Sequence, residues 1–206
     1  VTYLSQYQSD INVRIFDTPA GFSNKVEDIS IKSDISYFAS NKHTITTGSE
    51  LSFFDFSFGS SFNLQEQFVL ETQPLQISLY LQDDWKPNPL IDARIGLRSI
   101  YFSEGRYQML EPRLTLSYAL RPSFKTKIAT GIYHQYLQLV TSEGFGGGDF
   151  WVPLDETVRP GKSVQFVTGF EWDPNSSYFL SLEGYYTGLS RLVIIDTENV
   201  VDIEKP

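Results

Sequence analysis

The stretch Leu75-Gln-Ile-Ser-Leu-Tyr-Leu-Gln82 alternates strictly between apolar and polar side chains. A period of two residues indicates a β-strand, because successive side chains of a strand point to opposite faces. One face of this strand is therefore expected to meet an apolar environment and the other a polar one. The apolar face would carry Leu75, Ile77, Leu79 and Leu81, and the polar face Gln76, Ser78, Tyr80 and Gln82.

The same alternation recurs along most of the chain and predicts about ten strands. No stretch has the 3.6-residue period of a convincing amphipathic helix. The predicted fold class is all-β, an antiparallel meander of about ten strands. The strand-like segments lie near 1–8, 28–37, 44–53, 75–82, 91–98, 113–118, 124–132, 164–172, 178–186 and 191–201.

The connections between these segments alternate between short and long. Outer-membrane β-barrels have short turns at one end and long loops at the other. The pattern therefore favours a part of a transmembrane barrel over a soluble sandwich. The short connections are Ala39–Lys42, Lys86–Pro89, Arg121–Ser123 and Asp173–Ser176, and the long ones lie near 9–27, 55–72, 101–111 and 135–160.

Aromatic residues gather at both ends of the predicted strands. Two aromatic belts are typical of the two interfaces of a membrane, although aromatics are also good strand formers in soluble proteins. Tyr37, Phe38, Trp85, Tyr118, Phe124, Trp172 and Tyr178 lie beside short turns, and Phe53, Phe54, Tyr101, Phe102, Tyr133, Tyr136, Tyr185 and Tyr186 lie near long ones.

Composition excludes several classes of function. The chain has 206 residues, a net charge of −9 and no cysteine, which excludes disulfides, zinc-thiolate sites and thiol nucleophiles. An acidic chain without clustered cations does not suit nucleic acid. No apolar run is long enough for a spanning helix, and no signal peptide is visible. A mature chain or an excised fragment is expected.

Several segments, taken in order over roughly residues 28–190, resemble the barrel of TonB-dependent outer-membrane receptors. The segment from Tyr133 to Pro153 is similar to the version common in Bacteroidetes-like bacteria. The other matching segments are Leu79–Trp85 with Ile95–Arg98, Glu111–Tyr118, Lys127–Tyr133, Arg159–Ser163 with Val167–Trp172, and Leu182–Tyr186.

The resemblance implies a receptor in the outer membrane of a Gram-negative bacterium, in contact with outer-membrane lipid. The parent protein would take up a scarce nutrient of siderophore, cobalamin or oligosaccharide type, with energy delivered by TonB to a plug domain. Barrels of the family have 22 strands, and this chain supplies about ten. Residues 1–206 are therefore expected to be a partial receptor barrel with no plug domain.

An outer-membrane protease of the omptin type is an alternative, because such proteases use Asp and His to activate water. Here Asp83 and Asp84 lie at the short-turn end of their strand, and His134 lies at the long-loop end. Groups a strand length apart cannot share a proton. We therefore expect no catalysis and no catalytic residues. His43 lies in a short turn and is expected to be solvated.

The glycine-rich stretch from Gly144 to Asp149 lacks the Lys-Ser/Thr of a phosphate-binding loop, so a loop tip is expected. Calcium binding by Asp149, Asp155 and Glu156 is conceivable, but the spacing fits no EF-hand. With two distant histidines, no transition-metal site and no cofactor are expected.

The long connection 135–160 carries the candidate ligand-binding residues Tyr136, Asp149, Phe150 and Trp151. Their aromatic rings could stack on a small-molecule or oligosaccharide ligand, or pack the loop against its neighbours. The remaining alternative for the whole chain is a soluble all-β ligand-binding domain. In that case the apolar faces would form a core between two sheets.

Overall fold

Twelve strands are present in the computed structural model, which describes residues 1–15, 17–140, 150–175 and 177–192. No helix among these residues is long and apolar enough to cross a membrane. The strands are β1 (Thr2–Ile15), β2 (Thr18–Ser40), β3 (His43–Phe62), β4 (Gln65–Thr72), β5 (Leu75–Asn88), β6 (Ile91–Phe102), β7 (Tyr107–Arg121), β8 (Phe124–Gln135), β9 (Leu137–Val140), β10 (Phe150–Pro153), β11 (Gly161–Asn175) and β12 (Tyr178–Ser190).

Ten of these strands form one antiparallel sheet, which confirms the predicted all-β meander. The order is β1-β2-β3-β5-β6-β7-β8-β11-β12, with β4 paired to the far half of β3. Strands β9 and β10 form a separate hairpin. Within the described residues the sheet is open, because β1 and β12 are not paired with each other.

Two-residue reversals join strands at one end of the sheet, as the sequence predicted. The four reversals follow β2, β5, β7 and β11. Side chains close them locally: the Asn88 carboxamide oxygen accepts bonds from the Leu90 and Ile91 amides at 2.9 and 3.1 Å. Asn175 accepts similarly from the Ser177 amide at 3.0 Å. Such local bonds explain why Asn suits these turns.

At the other end, the expected long connections near 9–27 and 55–72 are wrong. Strand β1 continues to Ile15 and β2 starts at Thr18, while β3 continues to Phe62 and β4 starts at Gln65. Asn63 and Leu64 both have positive φ angles, 52° and 62°, as a two-residue type I′ hairpin turn requires. Strands β2 and β3 are thus 23 and 20 residues long.

The connection near 101–111 is also shorter than expected, because β6 continues to Phe102 and β7 begins at Tyr107. Only the segment 135–160 remains a long connection, and it contains the β9–β10 hairpin. The predicted glycine-rich loop tip, 144–149, lies outside the described residues.

We call the part of the sheet nearest the two-residue reversals the lower sheet. Its two faces have the opposite polarity to those of a soluble protein. On the apolar face, Leu81 is 56% exposed and Ile35 is 66% exposed. On the polar face, Ser78 and Glu111 are almost fully buried, at 0% and 2%. The sheet curls so that its polar face lines a cavity of about 400 Å³. We call this the concave face, and the opposite apolar face the convex face.

Along β1, β2 and β3, the two faces of the sheet exchange their polarity at one height, between the positions of Phe53 and Asp55. Below that level the convex face carries Leu4, Ile29 and Phe53, which are aligned across the three strands. Two residues further on, the aligned convex residues are Gln6, Glu27 and Asp55. The concave face changes in the opposite sense, from Ser5 and Asp28 to Tyr7, Val26 and Phe56. The alternation therefore persists beyond the lower sheet with its two faces exchanged.

A glycine on the concave face makes room for a tyrosine from the neighbouring strand. Gly48 is paired with Tyr80, and a Cβ at Gly48 would overlap the Tyr80 hydroxyl and lie 2.5 Å from the Ser33 carbonyl oxygen. The Tyr80 ring also receives the Lys32 amine 5.6 Å from its centroid. A side chain at position 48 would displace this ring.

Gly48→Ala is expected to destabilise the protein by about 1–3 kcal/mol, the usual cost of overpacking. The measurement is urea unfolding of the full-length protein in detergent. Gly184→Ala is the matched control, since a Cβ there meets nothing within 4 Å. Equal unfolding midpoints for the two variants would contradict the expectation.

Candidate functional site

An arginine on β6 links three strands across the concave face. The Arg98 guanidinium donates from Nη2 to Glu50 Oε2 at 3.0 Å and to Ser78 Oγ at 2.9 Å. Glu50 is on β3 and Ser78 on β5, and the two residues are register partners. The ion pair is half-buried, so it is less screened than a surface pair. It ties β6 to β3 and β5 on the concave face.

A second polar cluster lies where β7 meets β8. Arg113 donates from Nη2 to Glu111 Oε2 at 2.9 Å, and its guanidinium lies 4.7 Å above the Tyr133 ring. The other oxygen of Glu111 accepts the His134 backbone amide at 2.7 Å. Tyr133 in turn covers Gly131, the register partner of Arg113. The nearly inaccessible carboxylate of Glu111 is thus satisfied from two sides.

Two further ion pairs lie on the concave face. Arg94 donates from Nε to Asp84 Oδ1 at 2.5 Å, and Lys127 pairs with Glu171 on β11. The face is therefore strongly polar, while its cations and anions largely neutralise one another. Among the described residues, no group of three His, Asp or Glu side chains is arranged to hold a metal ion.

An apolar cluster lies at the end of the charged part of the concave face, near the level where the two faces exchange their polarity. Phe102 and Tyr136 are buried with ring centroids 5.3 Å apart, and Ile100 packs beside them. Burial raises the pKa of the Tyr136 hydroxyl, which has no hydrogen-bond partner among the described residues. The structure therefore places this candidate ligand residue inside the packing. The partly buried residues around the cluster are Phe54, Tyr107, Met109 and Leu137.

The β9–β10 hairpin is anchored to the long strand β2. Asn24 accepts the Trp151 backbone amide at 3.1 Å and donates to the Trp151 carbonyl at 3.4 Å. Asn24 is buried, so it acts as a backbone-like partner for β10. The Trp151 side chain is half-buried. Phe150 is the first residue of β10, and Asp149 lies outside the described residues.

The segment after the hairpin is held by Tyr107. Its hydroxyl lies 2.8 Å from the carbonyl oxygens of both Asp155 and Val158. The Asp155 carboxylate accepts the Thr157 amide at 2.9 Å and the Thr157 hydroxyl at 2.6 Å. The Asp155 carboxylate, a conceivable calcium ligand from the sequence, therefore already accepts two hydrogen bonds within its own turn. These bonds hold the segment 154–160 beside the start of β7.

The two histidines lie at opposite ends of the sheet and contact different carboxylates. His134 contacts Glu111 at the long-loop end, as the sequence predicted for its position. His43 was expected to be a solvated residue of the turn; its side chain is 41% exposed, but it does not lie in the turn itself. It is the first residue of β3, bonds Asp83 Oδ2 through Nδ1 at 2.7 Å and stacks on Trp85. Asp83 and Asp84 therefore interact with His43 and Arg94, and neither pairs with His134.

Solved structures similar to this chain include siderophore receptors and a peptide importer. The siderophore receptor PirA of Pseudomonas aeruginosa matches with a TM-score of 0.65 and 15% identity, over 95% of this chain and 41% of that one. The ferric enterobactin receptor PfeA of the same bacterium, in complex with enterobactin, gives 0.65 and 12% over 94% and 36%. The RagAB peptide importer gives 0.55 and 9% over 86% and 25%.

These similarities show the fold alone: the sheet of this chain resembles part of the barrel of these receptors. The neighbours are transport receptors and not enzymes. The chain spans less than half the length of each of them. No protein-family profile and no curated protein matches the sequence.

Replacing Glu111 tests whether this buried carboxylate organises the β7–β8 cluster. Glu111→Ala leaves the Arg113 guanidinium and the His134 amide without their acceptor, which costs about 1–3 kcal/mol. We expect faster hydrogen exchange at the His134 amide and a lower unfolding midpoint. Glu111→Gln keeps an acceptor for the amide and should retain most of its protection. Unchanged exchange in Glu111→Ala would contradict this role.

Proposed function

We propose that the chain is a segment of the barrel wall of a TonB-dependent outer-membrane receptor. The observation that carries the proposal is the reversed polarity of the sheet, with an exposed apolar convex face and a polar concave face. In water, so large an exposed apolar face would associate or aggregate. Against hydrocarbon, the same face is the favourable arrangement. The low-identity structural neighbours support the same assignment through their fold.

The length of the apolar zone supports a membrane location. On β5 its convex positions run from Leu75, beside the level of polarity exchange, to Trp85, near a two-residue reversal, with Asp83 as the charged residue among them. These 11 positions, 75 to 85, match the roughly 9–11 residues of a tilted transmembrane strand. Above the exchange, the convex face carries an ion pair between Lys25 and Glu27 at 2.9 Å. Charged groups at this height are solvated by water outside the hydrocarbon layer.

The transport reaction of the parent protein is part of the proposal. The parent takes up a siderophore, a cobalamin or an oligosaccharide through the outer membrane of a Gram-negative bacterium. TonB supplies the energy by acting on a plug domain. The structural neighbours include a siderophore receptor and a peptide importer, which supports a nutrient ligand of this general kind. The likeness of residues 133–153 to the Bacteroidetes-like version stays a prediction.

A charge placed on the convex face tests the membrane location. Leu81→Arg should destabilise the protein in a bilayer by about 2–4 kcal/mol, because Arg would meet hydrocarbon. The matched control is Gln82→Arg, one residue away on the concave face. The measurement is urea unfolding in phospholipid vesicles. A soluble all-β domain predicts instead that the unmodified protein is monomeric without detergent and tolerates both substitutions equally.

Of the predicted ligand contacts Tyr136, Asp149, Phe150 and Trp151, Tyr136 is buried, so the half-buried Trp151 is the contact to test; Asp149 and Phe150 stay predicted contacts. Trp151→Ala in the full-length receptor should weaken ligand binding about three- to tenfold, the usual contribution of an aromatic stacking contact. Calorimetric titration with ferric siderophores, cobalamin and oligosaccharides measures the effect. Trp172→Ala, at the short-turn end, is the control. Unchanged affinity in Trp151→Ala for every bound ligand would remove Trp151 from the site.

A further inference from the structure

A polar cluster lies on the convex face at the short-turn end, where the proposed function does not use it. His43 and Trp85 are register partners, as are Ile45 and Asp83. His43 bonds Asp83 at 2.7 Å and stacks on Trp85, with 6.2 Å between ring centroids and 20° between the planes. The cluster joins β3 to β5 on the side that faces away from the cavity.

The surroundings of this cluster are apolar. Asp83 lies between Ile45 and Ile95 in the register, and it follows the exposed Leu81 by two positions on the same face. A charged pair facing hydrocarbon is costly, so it needs water or polar headgroups beside it. Trp85 and Tyr37, both exposed on this face, belong to the aromatic belt that marks the headgroup level.

A free cation stands next to the cluster. Lys42 precedes His43, is exposed, and its amine has no ion-pair partner among the described residues. By contrast, the amine of nearby Lys86 is taken by Asp92 at 2.9 Å. The Lys86 amide bonds the Lys42 carbonyl at 2.8 Å, which fixes the backbone of the turn beside His43.

We propose that Lys42 and His43 form a binding site for the phosphodiester of a membrane phospholipid, with preference for an anionic headgroup. This rests on the proposed membrane location. The site takes the imidazolium form of His43, in which Asp83 accepts the Nδ1 proton and Nε2 donates to a phosphate oxygen. The Lys42 amine supplies the second donor. The acyl chains then lie along Leu81, Ile45 and Ile95. Asp83 is a positioning residue, because it acts through His43.

The test is native mass spectrometry of the full-length protein in detergent, titrated with phosphatidylglycerol. Loss of one cation should weaken lipid retention about fivefold, the usual contribution of a basic residue at an anionic surface. We expect this for Lys42→Ala and His43→Leu, while His43→Lys restores binding. Lys125→Ala is the control, an exposed lysine of the same end whose position faces the concave side.

Two outcomes would overturn the site while leaving the barrel intact. One is wild-type retention of phosphatidylglycerol by both Lys42→Ala and His43→Leu. The other is equal retention of a glucosyl diacylglycerol, which has the same acyl chains and no phosphate. Lys42 makes no side-chain contact that folding depends on, so its variant stays informative if His43→Leu fails to fold. A wild-type protein that needs no detergent would instead refute the membrane location itself.

Discussion

Hydrogen-bonded pairing between neighbouring strands determines which side chains share a face. Every strand from β2 to β11 in the main sheet order has a partner on both sides, so a slip of one residue would turn a whole strand over. In hydrocarbon, such a ladder is also the means by which a strand satisfies its peptide groups. A slip between β3 and β5 would point Leu79 and Leu81 into the polar cavity and Ser78 out of it. The contrast between the two faces therefore stabilises one register.

The exchange of polarity near Phe53 divides each long strand into two parts with different neighbours. Below it, the concave face carries paired charges such as Glu50 and Arg98, and the convex face is apolar. Above it, the described concave positions of β1 to β4 carry no charged side chain, and the charges lie on the convex face. Without the exchange, apolar side chains would continue along the convex face beyond Phe53, and charged ones would continue along the concave face. The same strands instead continue past this level with charged residues such as Glu27 and Asp55 on the convex face.

The sequence predicted those features that depend on local patterns. The faces of Leu75 to Gln82 follow from the period of two, and the turn at Asn88 follows from the local bonds of its own side chain. The strand extensions near 9–27 and 55–72 were missed because the change of polarity resembles the end of a strand. Contacts such as Arg113 with Tyr133, or His43 with Asp83, need the register between strands, which no single segment contains.

The apolar cluster of Phe102, Tyr136 and Ile100 lies where three structural changes meet. The charges of the concave face end there, the apolar part of the convex face ends there, and the β9–β10 hairpin begins there. The hydrogen bonds between Asn24 and Trp151 also tie the hairpin to β2. Burial of Tyr136 in this cluster stabilises the mouth, and it leaves the half-buried Trp151 as the described aromatic of the hairpin that a ligand can reach.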